Sequence, residues 1–129
     1  MTAFNVVALL GGGVFVVFAL YNAAVGQSSK GSNWMIPAFF GALFLAWSLF
    51  AVSTEGVLGF WPEHNGNAWE NQIWFDLLLA AAVALTFLVP EAKRLGMRVL
   101  LWSAFVICSG SIGLLAMTAR IFYLRSKAK

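Results

Sequence analysis

Charge is what this 129-residue chain has least of: 10% of it is Asp, Glu, Lys or Arg, against 61% hydrophobic residues and a mean hydropathy of +0.85. So few polar residues cannot coat a soluble globule. Cysteine occurs once, as Cys108 within the last apolar run, so no intrachain disulfide can form and the redox state of the compartment leaves no trace. Histidine also occurs once, as His64, outside every apolar run. That removes the usual imidazole ligand for a haem or chlorophyll inside a membrane, and neither a cofactor nor a metal is expected. No recognisable catalytic motif takes their place.

What the chain has instead is four long apolar runs, at about residues 4–25, 34–52, 72–89 and 99–123. At about 1.5 Å per helical residue, each reaches across a hydrocarbon core of roughly 30 Å. The expected fold is all-α: a polytopic membrane protein, a four-transmembrane-helix antiparallel bundle forming one domain over residues 1–129. Both termini and the 53–71 loop then share one face, called face A, and the 90–98 loop lies at the opposite face B. Pro37 falls in the first turn of the second run, where a missing N–H costs nothing, and Pro90 is expected to stop the third. Ala24, Val25 and Gly26 resemble a small-residue cleavage site, but no Lys or Arg precedes the first run, which is therefore read as a retained helix.

A sequence pI near 9.4 raises the question of nucleic acid, yet the basic residues flank apolar runs and line no groove. No nucleic acid partner is expected; membrane lipids, including anionic headgroups, are. In the four-span reading, face A carries Arg120, Arg125, Lys127 and Lys129, and face B carries Lys30, Lys93, Arg94 and Arg98, which is a near tie. The 90–98 loop is assigned to the cytoplasm because it is short and basic while the longer 53–71 loop has no Lys or Arg. Lys93, Arg94 and Arg98 are the candidate headgroup or partner contacts, each contributing about 1 kcal/mol near an anionic leaflet.

The acids are distributed less evenly. Glu55, Glu63, Glu70 and Asp76 all fall at face A, beside Phe60, Trp61, Trp69 and Trp74, rings suited to headgroup depth. Glu63, His64 and Glu70 do not reproduce a known metal-ligand spacing, and a solvated loop is the preferred reading. Asp76 stands out, being about one turn inside the third run, on a stripe with Ala80 and Ala84. Counted inward from face A, Asn5, Ser48, Ser109 and Ser111 reach a similar depth, so an intramembrane polar cluster of Asn5, Ser48, Asp76, Ser109 and Ser111 is expected. Its structural reading is interhelical hydrogen bonding; its functional reading is a carboxyl that binds or protonates something, with Asp76 as a weak catalytic candidate. Ala38, Ala42 and Ala46 form a second small stripe, and Ser109 with Gly113 a third, each allowing close helix approach.

Asn71, the run Phe75-Asp76-Leu77-Leu78, the run Glu91-Ala92-Lys93-Arg94-Leu95-Gly96-Met97, the pair Gly110-Ser111 and the closing Tyr123-Leu124-Arg125 resemble an uncharacterised family of small bacterial integral-membrane proteins. The resemblance covers about residues 71–125, and a Leu-Pro expected late in the last helix is replaced by Leu114-Leu115-Ala116. It implies a small helical bundle of the bacterial inner membrane and supplies no activity. The leading expectation is a non-enzymatic accessory or scaffold subunit that packs against lipid, another membrane protein or a second copy of itself. The alternatives are a lipid- or isoprenoid-processing enzyme using Asp76 as acid or base, and a small-solute transporter subunit.

Overall fold

The computed structural model describes residues 2–25 and 33–128, which contain six helices and no strand. They form two compact units, one up to residue 32 and one from Asn33 onward. The first holds a single helix, α1 (Ala3–Val25), of 23 residues. Every α1 side chain of described exposure is exposed, and the stretch is apolar enough to cross a membrane. In water such a helix would be unstable; in a bilayer its backbone hydrogen bonds are satisfied internally.

The second unit starts with α2 (Met35–Glu55), whose first N–H is met by Asn33 Oδ1 at 3.0 Å and whose third residue is the buried Pro37. After a left-handed Gly56, the short α3 (Pro62–Asn65) leads to α4 (Ala68–Arg94). Asn67 sets the start of α4: its backbone is extended and its side-chain oxygen accepts from Trp69 N at 2.9 Å and Glu70 N at 3.1 Å. Glu70 reaches back to accept from Gly66 N at 2.9 Å, so donors at the helix entry are answered from both sides. Glu70 thereby has a capping role.

Pro90 does not stop the third run. It lies inside α4, which continues to Arg94. A proline removes one helical N–H and crowds the carbonyl four residues back, at a cost of about 3 kcal/mol or more. What offsets this is a well-made end. Gly96, at φ +73, lets Gly96 N donate to Lys93 O at 3.0 Å and Met97 N to Ala92 O at 2.9 Å, the paired bonds of a Schellman turn. The accompanying apolar contact is also present, since fully buried Ala92 belongs to the core against which Met97 packs.

The fourth apolar run differs from the expected continuous helix. It is divided into α5 (Val99–Ser109) and α6 (Ser111–Lys127) by Gly110 alone, at φ +60 and ψ −122. The chain folds back there: Trp102 and Phe105 of α5 share a groove with Ala116 and Ala119 of α6, and Leu101 lies in a pocket with Leu124. A straight helix would hold residues 101 and 124 roughly 35 Å apart. Gly113 makes the fold-back possible, because a Cβ there would sit 2.7 Å from Val106 Cα and 2.9 Å from Val106 N. The two backbones touch.

α6 is consequently the hub of the second unit, lying against α2, α4 and α5. Its Met117 and Ile121 are the largest fully buried side chains among the described residues, and they join Ala92 of α4 and Val106 of α5 in the core. On the opposite flank, Gly41 of α2 approaches Leu115, whose Cβ would lie 3.4 Å from a Cβ at that glycine. Three helices, α1, α2 and α4, are long and apolar enough to cross a membrane, and α5 is a shorter apolar helix.

Candidate functional site

The charged end of the second unit is assembled by Glu91. Its Oε1 accepts from Arg94 Nη2 at 2.6 Å and from Arg125 Nε at 2.7 Å, while Oε2 accepts from Arg94 Nε at 2.9 Å. The 27 residues of α4 measure about 40 Å, longer than a hydrocarbon core of roughly 30 Å, so this last turn stands at the membrane face, beyond the apolar stretch 72–89. Hydrogen bonds from Arg94 and then Arg125 pull the Glu91 carboxyl down from 4.5 to about 2 against a smaller opposing effect of burial. The Arg94 pair is local and exposed; the Arg125 pair joins residues 34 apart and fastens the end of α6 to the end of α4.

That pair overturns the expected charge distribution. Arg120, Arg125 and Lys127, expected at face A, lie instead at face B with Lys93, Arg94 and Arg98. Arg125 bonds Glu91, Arg120 shares a pocket with Gly96 and Arg98, and Lys127 stands 5.7 Å over the Tyr123 ring. Lys30 and Lys129 fall outside the described residues. Among those described, every Lys and Arg is at this end, with Glu91 as its one acid, while Glu55, Glu63, Glu70 and Asp76 lie towards the other. The error came from the fold-back, since a straight fourth helix would have carried the tail across.

The polar cluster expected around Asp76 is not brought together within the second unit. Ser48 Oγ donates to Phe44 O at 2.8 Å and Ser109 Oγ to Phe105 O at 2.7 Å, each within its own helix. Ser111 is exposed at the start of α6. Asp76 is exposed, and its side chain makes no hydrogen bond or ion pair among the described residues. Ser and Thr hydroxyls have a carbonyl four residues back always within reach, and depth counting could not see that preference. Asn5 belongs to the first unit, where its backbone N–H donates to Thr2 Oγ1 at 3.3 Å.

At the acidic end the aromatic rings do gather. His64 stacks on Trp74 at 4.8 Å between centroids, and Phe60 lies 6.0 Å from His64 and 6.3 Å from Trp74. Glu70 is committed to Gly66 and Asn67, and no group of three His, Cys, Asp or Glu side chains assembles among the described residues. The small stripe of α2 turns partly inward: Ala38 and Ala42 line an open apolar groove facing α5 and α6, while Ala46 is exposed.

Helices of this length and apolarity, with charge confined to their ends apart from Asp76, define a small all-α integral membrane protein. The chain belongs to the family described as protein of unknown function DUF2834, which matches residues 33–127. That span takes in α2 as well as the stretch carrying the motif-level resemblance. No curated protein and no solved structure matches the chain. The run from Glu91 to Met97 now has a physical content: Glu91 collects two arginines, Ala92 fills the core, Gly96 turns the chain and Met97 closes the cap. Sequence reasoning missed Arg125 as the partner of Glu91. The signal was a lone acid in a basic segment with a second basic segment at the end of the chain.

Proposed function

We propose that this protein is a non-enzymatic accessory or scaffold subunit of the bacterial inner membrane, which holds another membrane protein against the outer face of α4. The observation that carries the reading is Asp76. It is exposed about one turn into the apolar part of α4, has no polar partner in its own unit, and is followed one turn on by exposed Ala80. An acid costs up to about 2.5 to 3.5 kcal/mol at the bilayer centre on the insertion scale, less near the surface, and a donor on a neighbouring helix removes that cost. Ala80 lets such a helix come close. The gathering of basic residues around the 90–98 loop supports a cytoplasmic placement of that end, where Lys93, Arg94 and Arg98 meet anionic headgroups.

The test is purification of the tagged full chain from its native membranes in mild detergent. A stoichiometric membrane partner should copurify, remain with Asp76→Asn, which keeps an accepting oxygen, and depart with Ala80→Leu while helicity is retained. A second copy of the chain in that role would show as a dimer dissolved by the same substitution. A monodisperse monomer without partner, or conversion of an added lipid that depends on the Asp76 carboxyl, overturns the reading.

A further inference from the structure

The groove between α2 and the α5–α6 hairpin is an apolar trough with a cationic end. Its accessible volume is about 550 Å³, within the range of sites that hold small molecules. The walls are Ala38, Ala42 and Leu45 of α2, Phe105 of α5, and Ala116 and Ala119 of α6. Nothing in that list can hydrogen-bond through its side chain. At one end the lining changes to Trp34, Tyr123, Trp102 and Arg120. Trp34 meets Tyr123 edge to face at 5.8 Å, the kind of aromatic pair that settles at headgroup depth.

Arg120 is the informative residue. It is exposed, and its described partner is the Tyr123 ring, 5.6 Å from the guanidinium carbon. It also borders a second pocket, of about 580 Å³, together with Arg98, Gly96 and Trp102. The one acid at this end, Glu91, is held by Arg94 and Arg125, so neither Arg98 nor Arg120 has a carboxylate among the described residues. Two guanidiniums without a counter-charge among the described residues therefore stand where an apolar trough opens at the membrane face. Guanidinium forks match phosphate oxygens, and a chain-lined trough ending in them fits an anionic amphiphile.

We infer that this groove binds an anionic glycerophospholipid, with one acyl chain along Ala38, Ala42 and Ala116 and the phosphate at Arg120 and Arg98. The charge complementarity selects the headgroup, and the small residues make the room. The site is independent of the α4 face proposed above, on which Asp76 and Ala80 stand.

The full chain in neutral detergent is titrated with phosphatidylglycerol carrying brominated acyl chains, and quenching of tryptophan fluorescence is read. Saturable quenching is expected, with phosphatidylcholine of the same brominated chains binding at least fivefold more weakly. Arg120→Gln should weaken the phosphatidylglycerol titration about fivefold, in line with the contribution of one basic residue near an anionic surface, and Arg120→Lys should restore part of it. Ala116→Phe should abolish saturable quenching by filling the trough; helicity checks its folding, and Arg120→Gln decides the matter if Ala116→Phe does not fold. Equal affinity for the two lipids, or insensitivity to Arg120→Gln, overturns the inference. So does finding the trough filled by a copurified protein.

Discussion

Replacing Gly113 with alanine separates a folded-back α5–α6 hairpin from a continuous helix. In the hairpin the new Cβ lies 2.7 Å from Val106 Cα and 2.9 Å from Val106 N, with Ser109 Oγ at 2.8 Å. Ordinary carbon contacts lie near 3.5 to 4.0 Å, so the helices must part by about 1 Å. Overpacking of this kind costs about 1–3 kcal/mol, and the gain in helix propensity from glycine to alanine returns about 1. Because the obstruction is backbone, trimming Val106 to alanine does not relieve it. Gly12 in α1 supplies the control, since a Cβ there meets nothing within 4 Å and should give the propensity gain alone. Thermal unfolding in mild detergent should place Gly113→Ala below Gly12→Ala by about 1–3 kcal/mol. In a continuous helix, residues 106 and 113 are roughly 10 Å apart along the axis, and the two substitutions would behave alike. Equal stability of the two variants refutes the hairpin.

Two further outcomes follow from the same geometry. In a Cys108→Ser background, cysteines placed at Lys93 and Ser126 should be labelled by an impermeant thiol reagent from the same side of the membrane; labelling from opposite sides would restore a fourth crossing helix. Glu91→Gln should destabilise the second unit by about 1–2 kcal/mol, chiefly through Arg125, because charge-assisted bonds exceed neutral ones and the exposed Arg94 pair adds little. The folded-state value of the Glu91 carboxyl lies below its ordinary one. Its contribution is thus complete above about pH 4.5 and fades as the pH falls towards 2, whereas the Gln variant should lack that fade in an acid titration of stability.

Runs of apolar residues announced the membrane and the positions of α1, α2 and α4, because the bilayer demands length and apolarity and little else. The start of α2 was also readable, resting on Pro37, whose backbone preference is local, whereas the cap at Gly96 was not read. Gly110 was not readable as a fold-back, because glycine is common inside membrane helices and its φ is decided by what α6 packs against. From that one position two further errors follow. The depths of Ser109 and Ser111 were counted along a straight helix, and the tail arginines were carried to the wrong face. Pro90 failed as a stop signal for a related reason, since the core around Ala92 and the turn at Gly96 outweigh one lost hydrogen bond. Asp76 was legible as an acid within an apolar run, while the interhelical partners expected for it depended on tertiary structure that no spacing encodes, and it is exposed.

The return of α6 to the end from which α5 departs bears on how the chain enters its membrane. With the 90–98 loop on the cytoplasmic side, as proposed, no described charged residue after α4 has to be carried through hydrocarbon: Arg98, Arg120, Arg125 and Lys127 remain on the side where that loop is held. Translocating the tail would set several guanidinium and ammonium groups against a penalty of about 2.5 to 3.5 kcal/mol each at the bilayer centre, and a hairpin that dips in and comes back avoids it. The membrane potential therefore does no work on these groups during insertion.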